Sequence, residues 1–401
     1  MTPLPTMSRL PVFKTPMPPG QLRPPVVATT TTSALKMEYS FEPKSIMFGT
    51  KDRTPSDPFI TGDGFRHACL PYVYDETLQK SLRSDAKYLE SMFREIPNNH
   101  PIFVQTHLLN DFIQHVHKPI FSTKGVFAGS KHYVLVTHNS DYSAPWEPSN
   151  TRGKFTATED SYKEQREALL YDQGEYAKYI VTKWYGQNLM ITHERLEAIP
   201  IGIENRYNAY GAHVDTYKEV AAAAPPLTSR TKEVYLNFND KTNPKERGAM
   251  RKAARSAFPP KEMTIVDPPK SKGKKSAEEK KAVLKDFLTQ LSQHQFVLAP
   301  HGHGVDTHRL WESMYMGCIA VTTASAMDSS LLKHAEYELP VVVLEKAEDL
   351  TAEVVKTSID DPESGPAKLI KLQSGGGSSL SIPALTMAFW RGKIHSHRDF
   401  G

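Results

Sequence analysis

Two short segments of this chain combine glycine-broken turns, cations and carboxylates at spacings that suit anion chemistry. In the first, Phe296-Val-Leu-Ala-Pro300 is an apolar run of strand length, followed by His301-Gly-His-Gly-Val-Asp306 and a helix that Asp306 or Thr307 opens. A strand, a glycine turn and a helix start present free backbone N–H groups and a positive helix end to an anion. Arg309 falls in the first helical turn, where it can clamp phosphate oxygens. Glu312, three residues on, shares its face and can accept hydroxyl hydrogens. Phosphate on one side and a diol on the other outline a sugar nucleotide.

The second segment is Asn239-Asp-Lys-Thr-Asn-Pro-Lys-Glu-Arg247. Asn243 as N-cap, Pro244 at the first helical position and Glu246 three after the cap predict a strong helix start. Arg247 and Arg251, with Lys245, then place cations beside it. Alone, this reads equally as a well-capped helix with a solvated basic face. Paired with 296–312, it predicts one shared diphosphate pocket. Each helix end contributes roughly 0.3–2 kcal/mol toward an anion, so the arginines must supply much of the affinity.

Two other chemistries compete for the same residues. His301, His303, Asp306 and His308 could ligate a metal, as in dinuclear hydrolases, but the spacing departs from that pattern and no distal ligand cluster accompanies it. Gly302-x-Gly304 lacks the third glycine of a dinucleotide fingerprint. Trp311 and Met314 fall where a helix faces its sheet and read as core.

An acceptor base should come from the other half of the chain. His138-Asn-Ser-Asp141 follows a strand, where a side chain can project into a cleft, so His138 and Asp141 are the candidate catalytic residues. A plain Asx turn explains Asn139, Ser140 and Asp141 as well. His107 is a further candidate on the same reasoning, whereas Asn188 and His193 read as structural.

The elements that must position these groups follow from periodicity. Residues 1–37 hold eight prolines, four basic residues and no acid, a composition that predicts a disordered tail; an organellar transit peptide is the alternative. A mixed domain is expected over 38–228, with strands at Ile102–His107 and His132–Thr137, helices at Leu108–Val116 and Glu159–Tyr171, and a further strand near Leu196–Ile203. Ala221–Ser229, with Pro225-Pro226, reads as a link. A second domain over 229–372 alternates strands (Glu233–Phe238, Met263–Val266, Phe296–Ala299, Cys318–Val321, Val341–Leu344) with helices (Pro244–Ala257, Ala277–Gln293, Thr307–Met316, Ser329–Ala335, Ala347–Lys356). Such alternation predicts a parallel sheet wound on both faces. Residues 373–401 are expected to form a flexible joint, Gln373-Ser-Gly-Gly-Gly-Ser-Ser, and one last apolar segment.

Bulk properties narrow the function classes. The chain has 401 residues, 39% hydrophobic and 23% charged, with a net charge of +4, which suits two soluble domains and does not point to nucleic acid. No apolar run reaches membrane-spanning length, and no secretory h-region precedes the first domain. Cys69 and Cys318 lack metal-site spacing, and Cys318 within Met-Gly-Cys-Ile-Ala-Val reads as a buried thiol. Lys270, Lys272, Lys274, Lys275, Lys280, Lys281 and Lys285 form a charge run, most simply a solvated face.

Taken together, Phe296-Val-Leu-Ala-Pro, Gly302-x-Gly304-x-Asp306-x-His308-Arg309-x-Trp311-Glu312, Gly317-Cys-Ile-Ala-Val and Leu339-Pro-Val-Val-Val-Leu resemble the exostosin-type glycosyltransferase family. Asn237-Phe-x-x-x-Thr-Asn-Pro-x-Glu-Arg247, His138-Asn-Ser-Asp and Ile199-Pro-Ile-Gly-Ile extend the resemblance over roughly residues 100–395. The resemblance implies a GT-B fold, two Rossmann-like α/β domains facing across a cleft, with the nucleotide sugar on the C-terminal one. It also implies inverting transfer to a glycan or glycoprotein hydroxyl, with no cofactor beyond the nucleotide sugar and no essential metal; the sequence has no Asp-x-Asp. The donor-binding residues are then Asn243, Arg247, Gly302, His303, Gly304, Asp306, His308, Arg309 and Glu312, with Glu312 on the ribose hydroxyls and Arg309 and Arg247 on the diphosphate. Relatives often carry Asn where His303 stands, so the resemblance does not name the sugar. Neither nucleic acid nor a membrane span is expected as a partner. The lack of a signal or anchor points to the cytoplasm, and family analogy to the Golgi lumen. The main alternative is a catalytically silent partner subunit that binds glycan or nucleotide sugar; a metallohydrolase is the third reading.

Overall fold

The computed structural model describes residues 51–78, 80–145, 159–174, 178–266 and 275–398. The proline-rich tail and Lys270, Lys272 and Lys274 of the charge run lie outside them. Among the described residues, ten strands form two five-stranded sheets, parallel throughout, and both belong to one compact unit. The α/β class expected from the alternation is therefore what the chain adopts.

The first sheet comprises β1 (Val73–Tyr74), β2 (His100–Gln105), β3 (Tyr133–His138), β4 (Val181–Gly186) and β5 (Leu196–Ala198) in sequential order. β2 and β3 are buried at every position, as befits central strands covered on both faces. Right-handed crossovers that always step in the same direction put every connecting helix on one face. The other face needs separate cover. It comes from the helix Gly62–Ala68, ahead of β1, and from Met387–His395, which pack together over β2 and β3. Phe65 and Trp390 meet there at 6.4 Å, and Met387 N–H donates to Pro58 O at 2.9 Å. The last apolar segment thus belongs to the core of the first sheet. The expected joint begins inside a helix, Gly365–Ser374, where Gln373 accepts from Leu227 N–H at 2.8 Å.

The second sheet comprises β6 (Lys232–Leu236), β7 (Met263–Ile265), β8 (His294–Leu298), β9 (Ile319–Thr323) and β10 (Val341–Leu344). Its spatial order is β7-β6-β8-β9-β10. The chain steps one way from β6 to β7 and the other way from β8 onward, so β6 and β8 flank a topological switch point. The helices Pro244–Ala257, Ala277–Ser292 and His308–Tyr315 fall almost where the pattern places them. Ser329–Ala335 does not form the expected helix. A π-helical turn, Asp328–Leu332, and a 3-10 turn, Ala335–Tyr337, replace it, with the Asp328 carboxylate bonded to Ser325 N–H and hydroxyl.

The expected link is largely helical. Val214–Ala223 runs through the alanines and ends where Ala224 turns extended before Pro225, as a residue preceding proline must. Arg230 then anchors the chain. Its guanidinium donates to Pro225 O, His294 O and Met316 O at 2.8–3.0 Å and is 5% exposed. The Met316 carbonyl lies at the end of His308–Tyr315 and His294 just after Ala277–Ser292, so two negative helix ends help to offset the buried cation.

Candidate functional site

The loops after β6 and β8 meet at the switch point, the place where open α/β sheets bind ligands. Asn243 caps Pro244–Ala257, its Oδ1 accepting Glu246 N–H at 3.4 Å. Arg247 crosses to the neighbouring loop, donating from Nε to His301 O and from Nη1 to Asn239 O, both at 2.9 Å. Gly302 packs against the Arg247 guanidinium, where a Cβ would come within 2.8 Å of Nη2. Burial, and then the cation of Arg309, holds Arg247 below its ordinary pKa. Two guanidiniums on adjacent helix starts therefore lie within electrostatic reach of each other.

Arg309 lies over the Phe287 ring at 4.1 Å. Its Nε is 3.3 Å from Glu312 Oε2, an ion-pair distance without hydrogen-bond alignment. Arg309 Nε and Nη1 are buried and have no hydrogen-bond partner, and Thr307 Oγ1 shares that condition. Thr307 is the N-cap of His308–Tyr315, yet its side chain caps nothing. One helix start thus gathers an uncapped turn and an under-bonded guanidinium, a combination that costs stability unless an anion completes it. Glu312, expected on a ribose, is 8% exposed and accepts from Tyr217 OH at 3.1 Å. A carboxylate retains lone pairs beyond those two contacts.

Asp306 has a different role from the one expected. It is 3% exposed, and its oxygens accept Ile201 N–H at 2.7 Å and Trp311 Nε1–H at 2.8 and 3.0 Å. Its own N–H donates to Asn188 Oδ1 at 2.9 Å. With every oxygen spent on protein donors, Asp306 ties the β8 loop to the loops after β4 and β5 rather than facing a donor. Gly304 packs against the Asn188 amide, where a Cβ would meet Nδ2 at 2.6 Å. Burial raises the Asp306 pKa to about 6, against the opposing hydrogen bond from Ile201.

These contacts bring the carboxyl edges of both sheets together. The four residues considered as metal ligands do not converge: His301 Nε2 is on Thr323 O, His308 Nδ1 on Gly202 O, and His303 and Asp306 face other partners. No group of three His, Cys, Asp or Glu among the described residues is placed to hold a metal ion.

Between the two edges lies a cavity of about 270 Å³, lined by Gly62, Asn139, Asp141, Asn205, Tyr207 and His308 among others. The two expected bases fare differently here. His138 ends β3 at 2% exposure, its ring stacked on Phe65 at 5.2 Å. Nδ1 accepts Asn139 N–H at 2.6 Å, and Nε2 pairs with Pro200 O at 3.1 Å. Burial pushes its pKa down to about 4. Both nitrogens are occupied, so His138 holds no lone pair for a substrate in this arrangement. Asp141 stands at the cavity mouth, 71% exposed along its side chain and 3.8 Å from His303 across the gap. His107 lies elsewhere, 3.0 Å from Glu76.

The floor of the cavity escaped the sequence reading. Asp63 Oδ1 accepts from Arg53 Nη1 at 3.0 Å and Asn139 Nδ2 at 3.3 Å, and Asp63 N–H donates to Asn205 Oδ1 at 2.8 Å. Asn205 Nδ2 donates to Asn139 Oδ1 and to Tyr207 OH. Burial pushes the Asp63 carboxyl up, against the pull of Arg53. Gly62 is forced by this crowding, since a Cβ there would sit 1.7 Å from Asn139 Oδ1. The available signals were Thr61-Gly-Asp-Gly64, a capped helix start, and Asn205-Arg-Tyr-Asn208 after a strand edge.

No protein-family model matches the chain, and no curated protein sequence does. Among solved structures, the pneumococcal O-GlcNAc transferase GtfA in complex with UDP and GlcNAc is similar at a TM-score of 0.30 and 10% identity. That match covers 78% of this chain, which spans 59% of the other. A likeness this loose carries no argument, and the fold rests on its own strand order.

Proposed function

We propose that this chain is a glycosyltransferase of the GT-B kind. It would move a sugar from a nucleoside-diphosphate sugar to a hydroxyl of a glycan or glycoprotein with inversion, using no metal. The observation that carries the reading is the start of His308–Tyr315: a buried N-cap hydroxyl and two guanidinium nitrogens without hydrogen-bond partners, beside a second arginine at the sheet's switch point. An anion with several oxygens satisfies all of them at once. During transfer, charge gathering on the departing diphosphate would be stabilised there by Arg309, Arg247 and two helix ends. The occupied ring of His138 also suits the silent-partner reading, so binding and turnover must be measured separately.

Calorimetric titration with UDP and GDP tests the donor site. Wild type should bind one of them, and Arg309→Ala, checked for an unchanged melt, should lose about 30-fold or more in affinity, since a buried charged contact left unpaired costs on the order of 2–5 kcal/mol. No binding of either nucleotide by the wild type, or equal affinity in the variant, would overturn the proposal.

A further inference from the structure

We infer that His308 is the base that takes the acceptor's hydroxyl proton, and that the cavity before it seats the acceptor's reacting ring; this rests on the glycosyltransferase reading above. Three observations lead there. The first is the hydrogen bond from His308 Nδ1–H to Gly202 O at 2.7 Å. It fixes the neutral tautomer and leaves the lone pair on Nε2. His308 lines the cavity, and no hydrogen bond to Nε2 is formed among the described residues.

The second is the failure of its rivals. His138 has both nitrogens engaged, Asp306 is spent on Ile201 and Trp311, and Asp141 stands exposed at the mouth. His138 and His308 both line the cavity with a fixed tautomer, and of the two His308 is the one whose second ring nitrogen is left to a ligand.

The third is direction. Consecutive helical residues point about 100° apart. Arg309 extends over Phe287 toward the second half, whereas His308 reaches Gly202 of the first. Base and phosphate clamp thus leave the same helical turn in different directions. The acceptor oxygen bonds to the sugar's anomeric carbon while its proton passes to His308 Nε2. The bond from that carbon to the diphosphate oxygen breaks, and its electron pair leaves on the nucleoside diphosphate.

The wall chemistry names the ligand class. Asn139, Asn205, Gln187 and Tyr207 line it with uncharged amides and a hydroxyl that keep some hydrogen-bonding capacity beyond their bonds to one another, which suits a neutral, hydroxyl-rich ring more than an anion. About 270 Å³ lies below the roughly 300–1,000 Å³ of drug-sized pockets, space for one small ring.

The test is His308→Asn, whose side-chain amide can still donate to Gly202 O but offers no base. Release of nucleoside diphosphate is followed for the full chain with a panel of UDP- and GDP-sugars, with water and methyl glycosides as acceptors, beside nucleotide affinity by calorimetry. Turnover should fall about 10²–10⁴-fold while nucleotide Kd moves less than about threefold. A Kd that rises as much as turnover falls would make His308 a donor ligand and overturn the assignment, as would undiminished turnover. A wild type that binds nucleotide but releases none overturns the base assignment and leaves the donor site standing. One that neither binds nor cleaves any member of the panel removes the glycosyltransferase reading and this inference with it.

Discussion

Replacing Asp306 by Asn should change how stability depends on pH, by an amount the structure sets. The Asp306 carboxyl is fully buried, and its pKa is raised from 3.8 to about 6. A raised acid binds its proton more tightly folded than unfolded. Its contribution is therefore fully present below the unfolded value, near 3.8, and is lost as pH rises through about 6. A shift of about 2 units corresponds to about 3 kcal/mol over the whole window. Between about pH 5.0 and pH 7.5 the linkage integral comes to about 1.4 kcal/mol, with the wild type gaining at the lower pH. The amide cannot titrate, and whatever fixed cost it adds is the same at both pH values. Urea unfolding of wild type and Asp306→Asn at those two pH values isolates the term, because all other groups cancel in the difference. A stability gap between the two proteins that stays constant with pH would refute the reasoning, and with it the view that burial dominates the Ile201 and Trp311 hydrogen bonds.

Arg230→Met should cost at least about 3 kcal/mol in urea unfolding, because carbonyls of Pro225, His294 and Met316 lose their donors while buried; a loss below about 1 kcal/mol would mean that those carbonyls find other donors. Gly62→Ala should push Asn139 aside, destabilise by about 1–3 kcal/mol in thermal melts and slow turnover, yet leave UDP or GDP affinity intact because the donor loops lie in the other half. A variant with the wild-type melt would show that the Asn139–Asn205 network yields without cost.

Much of the second half was legible because each element repeats one signal. Asn243-Pro244 with Glu246 fixes a helix start by capping chemistry alone, and the strand there ends within two residues of expectation. The first half resisted for physical reasons. β1 has two residues, too few for any periodicity, and β4 mixes Lys183 with Trp184 and Tyr185. Nothing local marks Met387–His395 as cover for strands nearly three hundred positions earlier. At the site, residue types showed which groups can carry charge, and Arg247 and Arg309 stood out in the sequence on that ground. They did not show how each group is spent. Asp306 and His138 look like ligands in one dimension and are consumed by Ile201, Trp311, Asn139 and Pro200 in three.

The helix Met387–His395 has a consequence for how the chain is made. Domains usually fold as they emerge, the N-terminal one first. Here the first sheet leaves the ribosome with one apolar face covered by Gly62–Ala68 alone, and the rest stays open until the residues up to His395 have been synthesised. Closing so long a loop adds little entropy cost per doubling of its length, but it delays burial. The two halves must mature together, and holdase chaperones have a natural target in the half-covered side of β2 and β3.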